Sequence, residues 1–199
     1  MPKYRLMYFP IKGRAEVARL IFAQAGQEYE DLRISSSDWP AKKPETPFGQ
    51  MPVLYIDDKP LPQSDAIVRY LAREFKLEGP DSMTTAYVDM LVMSMKEAVE
   101  KLPFMEKDEE KKKKAKEAAF EKIDFTFGKI EKKFKDSGKE FLFKELTYAD
   151  LYLLQMSEAI GYFDKDLMKK FPSLDALIAR VKNLPNIKNW LEKRPNTDF

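Results

Sequence analysis

Three short segments within the first 65 residues carry groups with complementary binding chemistry. Tyr8 ends the first apolar run, where its phenol can donate a hydrogen bond to a thiolate. Met51 precedes Pro52, and a cis X-Pro bond in a tight turn would turn the Met51 N–H and C=O outward at a sheet edge, ready to pair with an extended peptide. Ser64 starts a helix-like segment; Ser caps helices, and their free N–H groups favour a carboxylate. The three segments predict a site for a small peptide that carries a thiol.

Composition limits the partners of this chain. Its 199 residues are 44% hydrophobic and 34% charged, which is typical of a globular protein of one or two domains. The 35 basic and 33 acidic residues give a formal charge of +2, too balanced to indicate nucleic acid or a membrane surface as a partner. No apolar run approaches the roughly 20 residues that span a bilayer. The first residues lack a secretory apolar region, so a cytoplasmic location is expected.

The chain contains neither cysteine nor histidine. This excludes disulfides, cysteine nucleophiles, histidine general bases and the usual zinc sites. Polar chemistry must therefore come from Tyr, Ser, Thr, Lys, Arg, Asp, Glu and the backbone.

Strand-like and helix-like segments alternate along the first 79 residues. Gly26 follows a helical pattern and is a natural C-cap, and Asp57 with Asp58 divides two short strands of a predicted hairpin. The predicted elements are a strand at 4–9, a helix at 13–25, a strand at 29–34, a loop with one short helix at 35–47, strands at 53–56 and 59–62, and a helix at 65–75. This order predicts a small α/β layer.

The segment Glu78-Gly79-Pro80 is the predicted linker. After it, apolar residues recur at helical spacing and no strand is predicted. We therefore predict an α/β domain at 1–79 and an all-helical domain at 80–199. Thr147 and Asp150 form a predicted capping box at the start of one helix. The charge run that ends at Lys116 is interpreted as a solvated face. The predicted helical segments are 87–102, 118–134, one beginning at Thr147, 174–181 and 187–192.

Taken in order, these motifs resemble a cytosolic glutathione transferase of the sigma class over essentially the whole chain. The matching segments are Tyr8-Phe9, Gly13-Arg14-Ala15-Glu16, Asp38-Trp39-Pro40, residues 47–53, Gln63-Ser64, residues 69–73, residues 147–150 and Lys193-Arg194-Pro195. The resemblance implies a thioredoxin-like N-terminal domain, an all-α C-terminal domain and a homodimer. It also implies an enzyme that adds the glutathione thiolate to small hydrophobic electrophiles.

The resemblance assigns a role to each site residue. Tyr8 would hold the glutathione thiolate, and Arg14 would supply positive potential beside it. The implied glutathione-binding residues are Tyr8, Trp39, Lys43, Gln50, Met51, Pro52, Gln63, Ser64 and, across the dimer interface, Glu97. The electrophile pocket is expected between the domains. Its implied residues are Phe9, Gly13, Arg14, Val99, Phe104, Tyr152 and Phe199.

Other functions remain open at this point. Some sigma-class enzymes that make prostaglandin D bind a divalent ion through acidic residues on the fourth helix. The matching positions here are Met93, Lys96 and Glu97, with a single carboxylate, so no metal is expected. The pocket tryptophan of those enzymes corresponds to Phe104, which leaves prostaglandin isomerase activity as an alternative. A low-activity structural protein, like the lens crystallins of cephalopods, is another, and a binding module of the kind found in translation-factor assemblies is a third.

Overall fold

A computed structural model describes residues 2–197 of the chain. It divides into two compact units, one formed by the chain up to Leu77 together with the segment from Leu184 onward, and one formed by Glu78–Asn183. The division falls close to the predicted linker. The last helix, expected in the all-helical domain, instead packs against the first helix of the α/β unit.

A four-stranded mixed sheet of order β2-β1-β3-β4 forms the centre of the first unit. β1 runs parallel to β2 and antiparallel to β3, and β3 and β4 form the predicted hairpin. Leu6, Val53 and Leu54 are fully buried. Val53 and Leu54 are consecutive and point to opposite faces of the sheet, so both faces of β3 are covered at this end. The strands are β1 Tyr4–Tyr8, β2 Glu30–Arg33, β3 Val53–Ile56 and β4 Lys59–Pro62.

Helices cover this sheet within the first unit. The longest run of buried residues lies on α1, which ends at Gly26 in the left-handed conformation (φ 65°), as its sequence predicted. The loop after β2 contains one short helix, also as predicted. The helices of this unit are α1 Glu16–Ala25, preceded by a 3-10 turn at Gly13–Ala15, α2 Trp39–Lys42, followed by a 3-10 turn at Lys43–Glu45, and α3 Ser64–Glu74, with the last helix of the chain at Pro185–Lys193.

The second unit is helical throughout. Its helices are α4 Ser82–Val99, α5 Glu109–Ser137, α6 Tyr148–Phe163, a 3-10 turn at Leu167–Lys170 and α7 Pro172–Lys182; the helix at Pro185–Lys193 is accordingly α8. α5 begins well before the predicted residue 118, so the charge run lies on a helix. Asp108 caps its start by accepting from the Lys111 N–H (3.0 Å), and Glu109 and Glu110 suit the positive end of the helix dipole. No helix within residues 2–197 has the length and apolar character needed to cross a membrane.

The predicted capping box at the start of α6 is confirmed. The Asp150 carboxylate accepts from the Thr147 N–H (2.8 Å) and the Thr147 hydroxyl (3.1 Å), and also from the Leu142 N–H (2.9 Å). Burial raises the pKa of Asp150 to about 6, although these donors favour the ionised form. Because the folded pKa lies above the ordinary value, the group stabilises the fold at low pH, and that stability is lost as pH rises to about 6.

Candidate functional site

The register of the sheet brings the three predicted binding segments to one end. Met7 pairs with Val53, and Val53 pairs with Pro62. Tyr8 is the last residue of β1, Pro52 directly precedes β3 and Gln63 directly follows β4, so each lies one residue beyond these pairs. The three strands are neighbours, spaced about 4.8 Å apart. The Met51–Pro52 bond is cis, as predicted. β3 is an inner strand, so Met51 lies at a strand end and not, as expected, on a sheet edge.

The hydroxyl of Tyr8 is oriented by the backbone of the next turn. Tyr8 is buried, with 7% of its surface exposed, and its hydroxyl oxygen accepts a hydrogen bond from the Arg14 N–H at 3.2 Å. Because the oxygen is the acceptor, the phenolic hydrogen stays available to a second acceptor such as a thiolate. The Arg14 side chain is exposed. This backbone contact was not predicted from the sequence, which assigned Arg14 a role through its side-chain charge.

Gly13 lies directly against this hydroxyl. Its φ of +42° is in the left-handed region, and a Cβ placed there would lie 2.8 Å from the Tyr8 hydroxyl oxygen and 3.0 Å from Cε1. The turn therefore needs a residue without a side chain at this position. The absence of a side chain at Gly13 thus leaves room for the Tyr8 hydroxyl.

A chain of aromatic rings links Tyr8 to the loop after β2. The Tyr8 and Phe9 ring centroids are 5.7 Å apart, and those of Phe9 and Trp39 are 5.8 Å apart, both edge-on. Trp39 is half-buried at the start of α2. Lys43 follows on the 3-10 turn with an exposed side chain, whose Cε would be 3.4 Å from a Cβ at Gly49. These contacts place an aromatic surface and a cation in the segment that follows β2.

The start of α3 departs from the predicted cap. Gln63 occupies the N-cap position with φ 74° and ψ 113°, and it makes no side-chain capping hydrogen bond. Ser64 is the first helical residue, so the expectation that Ser64 caps the helix is wrong. A positive φ in a residue other than glycine is uncommon and is concentrated at functional sites. The exposed Gln63 side chain and the half-buried Ser64 lie at this helix start, whose first N–H groups have no partner within the helix. Gln50 is also exposed, and Met51 is 9% exposed.

The remaining predicted residues, apart from Phe199, belong to the second unit. Glu97 on α4 is exposed, and its carboxylate accepts from the Lys122 ammonium at 2.9 Å, which lowers the pKa of Glu97. Val99 and Tyr152 are buried, at 3% and 5% exposure, and offer little surface to a ligand. Phe104 is half-buried and packs edge-on against Phe163, with centroids 4.9 Å apart. Phe199 lies outside the described residues.

A buried charge cluster on α1 was missed in the sequence. Arg19 and Glu16 are 0% and 1% exposed and form an ion pair at 3.2 Å. Arg19 also pairs with Asp31 of β2 at 3.1 Å, and Glu16 accepts from Trp190 Nε1 (2.9 Å) and Arg194 (2.8 Å) on and just after α8. The available signal was a single arginine inside the apolar run 17–22, since arginine is almost never buried without a partner.

Comparison with known proteins identifies the family of this chain. Models of the glutathione S-transferase N-terminal and C-terminal domains match residues 4–73 and 86–194. The chain belongs to the glutathione S-transferase family. This transferase is 40% identical over 208 residues to Glutathione S-transferase 1 of Ascaris suum, with 100% of both chains covered. It is also 40% identical over 203 residues to Hematopoietic prostaglandin D synthase of Gallus gallus, with 99% of each covered.

A solved structure extends the match to three dimensions. A monomeric glutathione S-transferase from the human hookworm Necator americanus has a TM-score of 0.90 to this transferase at 36% identity, with 99% of this chain and 100% of that chain covered. The predicted family and the predicted fold, a glutathione transferase α/β domain followed by a helical domain, are confirmed.

Proposed function

We propose that this transferase binds glutathione at the sheet end formed by Tyr8, Pro52 and Gln63 and adds its thiolate to small hydrophobic electrophiles. The observation that carries the proposal is the Tyr8 hydroxyl. Its oxygen is held by the Arg14 N–H at 3.2 Å, which leaves its hydrogen for the sulfur. The γ-glutamyl carboxylate would lie at the start of α3 near Gln63 and Ser64, where the first N–H groups of a helix and the helix dipole favour an anion.

Other residues of the same unit would hold the rest of the peptide. The Met51 backbone continues past the β3 pairing and would pair with the cysteinyl residue as a short added strand. Trp39 and Lys43 would contact the glycyl end, Lys43 through the carboxylate. Gln50 directly precedes Met51, has an exposed side chain and would help to hold the peptide.

Thiolate stabilisation is the central catalytic task. A thiol of pKa about 8.5 must ionise near neutral pH to be a good nucleophile. Lowering that pKa by two requires about 2.7 kcal/mol of preferential thiolate stabilisation. One desolvated hydrogen bond from Tyr8 together with nearby positive potential is of that order. No metal takes part in this proposal, since the phenol and the nearby positive potential supply the thiolate stabilisation.

For the electrophile we propose a surface of apolar and aromatic groups. Phe9, Gly13 and Arg14 belong to the first unit, adjacent in sequence to Tyr8 or to the turn that holds it. Val99, Phe104, Tyr152 and Phe199 remain the proposed members from the rest of the chain. Of the described members of that second set, Phe104 has the most exposed ring, and substitution there should alter electrophile selectivity most.

Prostaglandin isomerase activity is a second candidate function. The observation that favours it is the 40% identity to a protein named Hematopoietic prostaglandin D synthase, over 99% of this chain. The same thiolate chemistry would serve both reactions. Turnover with an aromatic halide, compared with isomerisation of a prostaglandin endoperoxide at equal enzyme concentration, separates the two.

Tyr8→Phe tests the proposed function. The change retains the ring and its packing against Phe9 but removes the donor to the sulfur. We expect glutathione binding to persist and turnover of an aromatic halide to fall by about 10- to 1000-fold, as for loss of one charge-stabilising donor. Calorimetric binding and steady-state kinetics measure the two quantities. Turnover within twofold of the parent would show that Tyr8 is not the thiol partner.

We also propose a homodimer formed through one face of α4. Met83, Tyr87, Met90 and Met93 are 49–60% exposed and follow helical spacing along this face. Exposed apolar stripes of this kind mark interfaces. Glu97 lies seven residues after Met90 and therefore on the same face. In the dimer, the Glu97 carboxylate of one copy would contact the amine of the glutathione bound to the other copy. The hookworm relative described as monomeric makes a solution test necessary.

Met90→Glu tests this interface. A charge in the centre of the apolar face should dissociate the dimer, because its desolvation is costly. Met105→Glu is the matched control, since Met105 is 83% exposed and lies outside α4. Sedimentation at working concentration should give a dimer for the parent and the control and a monomer for Met90→Glu. A monomeric parent would refute the dimer.

A further inference from the structure

Arg19 is the buried cation nearest the proposed thiol site, and it is not among the binding residues that the family resemblance implied. Arg19 is fully buried on α1, and its guanidinium carbon lies 6.0 Å from the centroid of the Tyr8 ring. Burying a charge is costly unless it is paired and hydrogen-bonded. Glu16 and Asp31 supply the opposite charges at 3.2 and 3.1 Å.

Arg19 also holds the backbone that leads to the Tyr8 hydroxyl. Its Nη1 donates to the Ile11 carbonyl at 2.7 Å and to the Lys12 carbonyl at 3.4 Å. These residues directly precede Gly13 and Arg14, and the Arg14 N–H donates to the Tyr8 oxygen at 3.2 Å. The guanidinium and the phenol are therefore joined by one short, continuous turn of backbone.

The carboxylate side of this anchor has further partners. Glu16 is held by Arg19, and it accepts from Trp190 Nε1 at 2.9 Å and Arg194 at 2.8 Å. The planar, multiply donating guanidinium contacts two carboxylates and two carbonyls together, an arrangement that the three donors of a lysine on a flexible stem cannot reproduce.

We propose that Arg19 is a positioning residue for the transferase reaction, which fixes residues 11–14 so that the Arg14 N–H orients the Tyr8 hydroxyl toward the sulfur. This inference rests on the proposed function. A displacement of the donor would weaken thiolate stabilisation while leaving the groups that bind the peptide in place. The effect should therefore appear in the thiol pKa and in kcat more than in glutathione affinity.

Arg19→Lys, which preserves the charge, is the main test. The ultraviolet absorbance of the thiolate, followed against pH in the glutathione complex, gives the pKa of the bound thiol. We expect Arg19→Lys to raise that pKa by about 0.5–1 and to lower kcat by about 3- to 10-fold at pH 6.5, with the glutathione Kd changed less than about threefold. Glu16→Gln, which loosens the same anchor with a nearly isosteric group, should shift both quantities in the same direction but less.

Phe22→Leu is the control for a purely structural role. Phe22 is fully buried on α1 and packs against the rings of Tyr4, Tyr29 and Phe75. The Phe22→Leu substitution should lower the melting temperature and leave the pKa of the bound thiol unchanged. If Arg19→Lys or Glu16→Gln folds and leaves the thiol pKa and kcat at parental values while Tyr8→Phe changes them, the inference is overturned and the proposed function stands. A parent that forms no thiolate with glutathione would overturn both.

Discussion

Replacement of Gly13 by alanine tests the geometry around the Tyr8 hydroxyl most directly. The new Cβ would lie 2.8 Å from the hydroxyl oxygen, whereas ordinary contact begins near 3.4 Å, so the phenol or the turn must move. A 1 Å misplacement at a reacting group costs up to about 100-fold. For the displacement of roughly half an ångström we expect kcat with an aromatic halide to fall about 10-fold.

The same substitution carries a backbone cost that must be separated from the site effect. At φ +42° a non-glycine residue costs about 1–2 kcal/mol, which lowers the melting temperature of a chain this size by about 2–8 °C. Gly138→Ala is the matched control. Gly138 has φ +61°, but a Cβ there meets nothing within 4 Å.

Thermal unfolding and steady-state kinetics of the two alanine variants decide the matter. Gly138→Ala should have a melting temperature lowered by a similar amount and an unchanged kcat. Gly13→Ala should have both a lower melting temperature and a lower kcat. A Gly13→Ala enzyme with kcat within twofold of the parent would refute the reasoning, because the hydroxyl position would then not depend on the absence of a side chain at residue 13.

Two further predictions concern single carboxylates. Glu97→Gln should raise the KM for glutathione a few-fold with kcat nearly unchanged, since the contact with the glutathione ammonium is made equally in the ground and transition states. The control Lys122→Met removes the 2.9 Å ion pair of Glu97 and should not raise this KM. An unchanged KM in Glu97→Gln would refute the cross-subunit contact. Asp150→Asn should remove a fall of about 2 kcal/mol in the free energy of unfolding between pH 4 and 6, because the folded pKa of about 6 lies above the ordinary 3.8. Denaturant titration across that range measures the slope. Asp166→Asn should leave it intact, because the Lys169 hydrogen bond lowers the pKa of Asp166, and a carboxylate with a lowered pKa does not lose stability as pH rises.

Local signals in the sequence predicted most of the elements. The strands Val53–Ile56 and Lys59–Pro62 match their predicted bounds, since a turn-forming Asp57-Asp58 pair separates two short apolar runs. The early start of α5 could not be predicted from apolar periodicity, because its first turns contact solvent. Its signal was Asp108 followed by acidic residues, which favours a helix start without any buried face.

Side-chain chemistry was easier to predict than backbone roles. Tyr8, Pro52 and Gln63 could be selected because their residue types and order are informative, and the sheet register brings them to one end. The contribution of the Arg14 N–H could not be predicted, because every residue other than proline carries one. It depends on the left-handed turn at Gly13, which only the folded backbone reveals.

The placement of Ser64 shows how one backbone angle changes the assignment of a binding group. A serine before an apolar run predicts an N-cap, but Gln63 adopts φ 74° and takes that position. Ser64 then becomes the first helical residue, with its hydroxyl available at the helix start instead of being used to close the helix. A capping serine would satisfy one of the free N–H groups with its own oxygen. Because Gln63 makes no side-chain capping hydrogen bond, we propose that the first N–H groups of this helix donate to the carboxylate of the bound peptide, so the departure from the helix-capping rule would serve anion binding.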